Sequence, residues 1–141
     1  MSRPVAPSPE LSPPYRTKRS FWRSLHVALA GAGCVLRTER NAQIESGIAL
    51  LAIGLGLWLR ITRQEWAVIF TLITLVLGLE MVNTAIEAAV DLACPEQNPL
   101  AKKTKDSAAG AVVVAAIGSV AVGLVIFLPR LWPVVMHWLN L

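Results

Sequence analysis

Three long apolar stretches dominate the chain: residues 46–59, 66–79 and 107–129 contain no Asp, Glu, Lys or Arg. A helix rising ~1.5 Å per residue needs some ~20 residues to cross a ~30 Å hydrocarbon layer. The pattern therefore predicts transmembrane helices over about 42–59, 65–92 and 106–128. The first is short unless Gln43 and Glu45 sit at its inner end. The second is long, and its last third carries Glu80, Glu87 and Asp91, so that part must face protein rather than lipid. The link I-T-R-Q-E at 61–65 leaves room only for a tight turn, which makes the first two spans an antiparallel hairpin. Ahead of them, Phe21, Leu25, Ala28, Leu29, Ala32 and Leu36 recur at helical spacing among Arg16, Lys18, Arg19, Arg23 and Arg37. That is a basic amphipathic helix over 16–37, suited to a membrane surface. Residues 1–15 hold five prolines and read as a flexible tail. Beyond Pro129, Trp132 and Trp138 stand at belt positions, and residues 129–141 read as an interfacial tail. The expected fold class is an all-α membrane protein.

Composition sharpens this. Of 141 residues, 55% are hydrophobic and 16% charged, and the mean hydropathy is +0.56. Soluble domains carry about 25% charged residues, and so small a chain could not bury this much apolar surface in a water-soluble core. A soluble enzyme and a disordered protein are both excluded as leading ideas. The net charge of +4 does not point to nucleic acid, because the cations follow the spans. Seven of thirteen Lys and Arg residues precede the first span, Arg60 and Arg63 follow it, Lys102, Lys103 and Lys105 precede the third, and Arg130 trails it. This alternation places the N-terminus in the cytoplasm of a multi-pass inner-membrane protein. Residues 1–19 lack the apolar core of a cleavable signal. Cys34 and Cys94 both fall on the cytoplasmic side, where thiols stay reduced. His26 and His137 are too far apart to form a metal-type pattern with them. Small residues crowd the third span, from Ala108 to Ser119, and favour close helix packing and oligomerisation.

The chemistry lies in E-M-V-N-T-A-I-E-A-A-V-D, Glu80 to Asp91. At ~100° per residue from Glu80, Asn83 falls near about −60°, Thr84 near about +40°, Glu87 near about −20° and Asp91 near about +20°. All five polar groups share one face. Counted from Trp66, Glu80 lies ~21 Å along the axis and Glu87 ~32 Å, so the stripe runs from the inner leaflet to the cytoplasmic surface. A carboxylate at such a depth marks function by default. Glu39 and Glu45 supply a second group of acids at the same depth, and Lys105 with Asp106 a third. Metal-binding carboxylates, a cation for negative charge and an acid to take a hydroxyl proton are the inventory of phosphoryl transfer. No P-loop, complete dinucleotide fingerprint or protein-kinase loop set occurs. The residues thus leave two classes open: an interfacial enzyme that handles metal-bound phosphate, and a non-catalytic membrane protein whose acidic stripe binds or couples a cation.

The same segment, Glu80 to Asp91, closely resembles the signature of the prokaryotic diacylglycerol kinase family, which includes undecaprenol kinases. Thr38-Glu39-Arg40-Asn41 before the first span matches too, as do Ala101-Lys102, Lys105-Asp106 and Ala108 to Ala111 at the third. The resemblance covers about residues 20–128. It implies a homotrimer in which each chain has a surface helix and three transmembrane helices, transferring the γ-phosphate of MgATP to a lipid hydroxyl of undecaprenol or diacylglycerol. Carried over by motif, Glu80 would be the catalytic base, and Glu39 and Glu87 would hold Mg²⁺ with the phosphates. Asn83 and Asp91 would order the ATP site, and Glu96, Lys105 and Asp106 would contact the nucleotide. Where many members of the undecaprenol branch read R-I-H, this chain has Gln43-Ile44-Glu45.

Overall fold

The structure is a computed structural model that describes residues 20–138. The tail expected at 1–15, residues 16–19 of the expected surface helix, and residues 139–141 lie outside the described residues. Four helices follow in order: α1 (Phe21–Thr38), α2 (Arg40–Trp58), α3 (Arg63–Ala93) and α4 (Pro99–Trp138). Among the described residues there is no strand.

Helix α1 buries none of its residues, as a helix meant to lie on a surface would not. It ends where Glu39 turns extended, with φ −90° and ψ 121°. That single residue is both the C-cap of α1 and the N-cap of α2: its N–H donates to the Val35 carbonyl, and its own carbonyl accepts from Gln43 N–H. Gln43 Nε2 also donates to the Arg37 carbonyl at 2.7 Å and braces the corner. The break fixes Glu39 at the junction between a surface helix and an apolar one.

The expected tight turn is present. Helix α2 closes with Ile61 N–H donating to the Gly56 carbonyl and Arg60 N–H to the Leu57 carbonyl, the paired bonds of a Schellman motif. The residue in the left-handed position is Arg60, with φ 51°. Glycine usually stands there, and a side chain costs about 1–2 kcal/mol. Helix α3 then opens on a capping box: Thr62 N–H donates to Glu65 Oε2 at 2.7 Å, and Glu65 N–H to Thr62 Oγ1.

Gly56 is where α2 approaches this turn most closely. A Cβ there would lie 2.9 Å from Trp66 Cη2 and 3.0 Å from Ile61 Cδ1. Trp66 is stacked on Phe70 with ring centroids 5.3 Å apart, so the indole has little freedom to yield. Gly56→Ala is expected to destabilise the protein by about 1–3 kcal/mol, the usual scale of overpacking. Thermal unfolding in detergent checks this, and an unchanged midpoint would mean that the turn repacks freely.

Helix α4 differs most from expectation. The third span was expected at 106–128, but the helix begins at Pro99 and runs 40 residues to Trp138. Its early start has a local cause: Asn98 Oδ1 accepts from Leu100 N–H at 2.8 Å, and Pro99 takes the first helical position, where its missing N–H costs nothing. Its late end passes through Pro129 and Pro133 and takes in most of the expected interfacial tail. Arg130 secures this region by donating from Nη1 to the Ile126 carbonyl and pairing with Glu65 at 2.8 Å on α3. Ile61, Ile69, Ile126 and Phe127 form the apolar cluster beneath that pair, with Trp66 and Leu131 packed against it.

Two helices, α3 and α4, are long and apolar enough to cross a bilayer. Helix α2 has 19 residues, and its first turns carry Arg40, Asn41, Gln43 and Glu45, which leaves only 46–58 as apolar helix. Large apolar side chains are exposed along the bundle, among them Leu50, Leu57, Val114, Ile117 and Val125. In water such a surface would be unsustainable. A lipid environment accounts for it.

Candidate active site

Helix α3 carries its polar residues on one face, as the spacing predicts. Glu80 is 3% exposed and Asn83 6%, and these are the two buried polar residues among those described. Thr84 and Glu87 are half-buried and Asp91 is exposed, so the stripe passes from the packed interior to the surface along ~16 Å of helix. Thr84 returns its hydroxyl to the Glu80 carbonyl at 3.0 Å, which satisfies it locally. Asn83 Nδ2 donates to Glu87 Oε1 at 3.0 Å, the (i, i+4) pairing that a helix allows. The same amide leaves its Oδ1 buried with no partner.

The corner between α1 and α2 brings further acids to this face. The Glu80 carboxylate lies within electrostatic reach of both Glu87 and Glu39, and the Asn41 amide faces it. Glu45, one and a half turns beyond Glu39, also lies within reach of Glu80, and its Oε2 is buried without a partner. Glu80 thus has three carboxylates around it, which makes a group of four. Among the described residues the ion pairs are Lys105–Asp91 and Arg130–Glu65, so none of the four is matched by a Lys or Arg. Like charges packed in a poorly solvated place demand a proton or a cation.

One turn beyond Glu87, the end of α3 and the start of α4 enclose a separate cup of about 630 Å³. Asp91, Glu96, Lys105 and Asp106 all line it. Lys105 Nζ bonds to Asp91 Oδ1 at 2.5 Å and ties the two helices together. The early start of α4 makes this possible, because it puts Lys102 and Lys105 on a helix and not in a loop. The structure therefore sorts the eight candidate residues into two adjoining places. Glu39, Glu80, Asn83 and Glu87 form an acidic, largely buried one; Asp91, Glu96, Lys105 and Asp106 form an open one with a cation. Glu45, expected with Glu39 as a second group of acids, joins the first, and Asn41 joins it without an expected role. Their signal was available, since residues 41 and 45 share a face of α2 and follow Glu39 directly.

The buried place suits a hard divalent cation. Two of its oxygens, Glu45 Oε2 and Asn83 Oδ1, are buried without a partner, and among the described residues no group of three or more His, Cys, Asp and Glu could hold a metal ion by itself. Mg²⁺ is characteristically held so, by one or two carboxylates with substrate phosphates completing the shell.

The bundle thus sets a group of acids without a paired Lys or Arg beside a cup that holds both acids and lysines. In comparison with known proteins, residues 26–127 match the family described as prokaryotic diacylglycerol kinase. The chain belongs to that family and is a lipid kinase. It is 44% identical over 111 residues to the undecaprenol kinase of Bacillus subtilis, covering 79% of this chain and 90% of that protein. It is 35% identical over 131 residues to a diacylglycerol kinase of Synechocystis sp., covering 92% and 75%. A Helicobacter pylori diacylglycerol kinase is 30% identical over 108 residues, covering 77% and 84%.

Proposed function

We propose that the protein transfers the γ-phosphate of MgATP to the hydroxyl of a membrane lipid alcohol, undecaprenol or diacylglycerol, at the cytoplasmic face of the inner membrane. The observation that carries this reading is the buried Glu80 with three further carboxylates, Glu39, Glu45 and Glu87, and no paired Lys or Arg among the described residues. The chain acts from a multi-pass arrangement in which α2, α3 and α4 all cross the bilayer, α2 by sinking its polar first turns into the protein-lined inner end. A homotrimer, as in the family it resembles, would cover the exposed apolar faces of these helices. Of the kinase unit expected at 16–128, the described residues begin at 20, and the end of α4 would lie at the outer interface.

Each side chain has a part in this scheme. Glu80 is the general base: it is the deepest acid of the stripe, where a lipid hydroxyl can reach, and it takes the hydroxyl proton as the oxygen attacks phosphorus. Glu39 and Glu87 would hold Mg²⁺, with Asn83 orienting Glu87 through its amide. Bound there, the metal would neutralise phosphate charge and align the β- and γ-phosphates. Asp91 positions Lys105, whose ammonium faces the nucleotide in the cup, and Glu96 and Asp106 supply acceptors for the rest of ATP. The lipid chain runs along the apolar side, away from water.

Lys105 tests the nucleotide half. Lys105→Ala removes a charged donor from the cup and is expected to raise the KM for ATP about tenfold or more, since such bonds are worth ~1.5–3 kcal/mol. Steady-state kinetics with ATP varied at fixed lipid decides this, and an unchanged KM removes Lys105 from the nucleotide site. The 44% identity to an undecaprenol kinase favours that lipid. Purified protein assayed side by side with both alcohols is expected to show the larger kcat/KM for undecaprenol; a preference for diacylglycerol would reverse the substrate assignment.

A further inference from the structure

The hairpin end of the bundle carries a cluster that phosphate transfer does not use. Arg63, which opens α3, stands ~25 Å along that helix from Glu80, too far to serve the reacting groups. Arg60 and Arg63 are both exposed there, and neither pairs with an acid among the described residues. The acid beside them, Glu65, is committed to the Thr62 cap and to Arg130. Two tryptophans flank the same end: Trp58 at the close of α2 is 60% exposed, and Trp132 on α4, next to the buried cluster under the turn, is 58% exposed. The family match stops at residue 127, short of Trp132.

Arg60 is the informative member. It occupies the left-handed position of the Schellman turn, where glycine would sit without strain. An arginine kept there projects its guanidinium from the tip of the hairpin at a conformational cost, and strain of this kind is a pointer to use. Guanidinium groups recognise phosphate oxygens through paired N–H donors. Exposed indoles settle at the headgroup level of a bilayer. Two unpaired cations at the end of the bundle that carries two exposed tryptophans therefore match one partner chemistry: a negatively charged lipid headgroup lying at the depth where the turn meets the membrane surface.

We infer that the α2–α3 turn is a binding site for the net negative headgroup of an anionic phospholipid, held by Arg60 and Arg63 at the end of the bundle that carries Trp58 and Trp132. On the orientation proposed above it lies in the outer leaflet, opposite the kinase site. Its role is to fix the depth of the hairpin, and with it the height of the acid stripe on α3.

The test uses the full chain in neutral detergent, titrated with phosphatidylglycerol or phosphatidylcholine, with bound lipid counted by native mass spectrometry and thermal unfolding followed in parallel. Arg60→Gly separates strain from binding. It is expected to raise the unfolding midpoint without added lipid, because the left-handed strain is gone, and yet to weaken phosphatidylglycerol binding about fivefold, the share of one cation at a membrane surface. Arg63→Gln is expected to weaken phosphatidylglycerol binding to a similar degree with no gain in stability. Phosphatidylcholine binding should stay unchanged in both. If phosphatidylglycerol affinity is untouched by both substitutions, or if both lipids are lost together, the site is overturned and the turn is only an aromatic membrane anchor.

Discussion

Glu80→Gln is expected to lower kcat by about 10²-fold or more while leaving the affinity for MgATP nearly unchanged. Glutamine keeps the size of the side chain and one acceptor oxygen, so the buried site on α3 should keep its packing. What disappears is the basic lone pair that receives the lipid hydroxyl's proton. Glu80 is 3% exposed, and no other acid of the α3 stripe lies as deep, so no substitute base is at hand on that helix. Steady-state kinetics resolved into kcat and the ATP KM provide the check. Equal losses in both would place Glu80 among the nucleotide ligands. A nearly active variant would remove the base from the scheme and leave positioning and electrostatics to carry the reaction.

The loss should be larger at Glu87. Glu87→Gln retains an oxygen to accept from Asn83 Nδ2, so the 3.0 Å bond that organises the face can survive. The negative charge does not. If Glu87 is a metal ligand, the transition state loses several kcal/mol of charge stabilisation. About 4 kcal/mol corresponds to a fall of ~10³-fold in turnover. The fold should be intact, which size-exclusion and unfolding measurements in detergent can establish. The diagnostic feature is the metal dependence: the concentration of Mg²⁺ needed for half-maximal activity should rise sharply. Near-normal kcat at saturating Mg²⁺ would show that Glu87 orders the site without holding the metal.

These two residues were legible in the sequence because helix geometry is periodic. Glu80, Asn83, Thr84, Glu87 and Asp91 share a face at their spacing alone, and the charge-free run ahead of them places that face at the end of a span. The tight α2–α3 link was legible as well, since five residues permit little else. What surrounds the stripe was less so. Asn41 and Glu45 reach Glu80 only because α1 and α2 meet at Glu39 in one extended residue, and the angle of that corner is a tertiary fact. Helix α4 extends beyond the expected span 106–128 at both ends. In the structure Pro129 and Pro133 sit within the helix, where the Arg130–Glu65 pair and the contacts of Ile126, Phe127 and Leu131 outweigh the lost hydrogen bonds. At its other end Asn98-Pro99 is a recognisable start signal that the nearby charges of Lys102 to Asp106 obscured. Arg60 was illegible for another reason: composition rules put glycine at left-handed turns, and only coordinates expose an exception.

The central claim is that the acidic face of α3 is a centre for metal-dependent phosphate transfer to a lipid alcohol. The most direct measurement incubates the purified full-length protein with ATP labelled in the γ-phosphate and with undecaprenol and diacylglycerol in separate mixed micelles, then counts label in the organic extract with Mg²⁺ present and again with excess chelator. The account predicts labelled lipid phosphate from at least one of the two alcohols, abolished by the chelator and restored by added Mg²⁺. No labelled lipid from either alcohol, or label that persists unchanged without divalent metal, would contradict it.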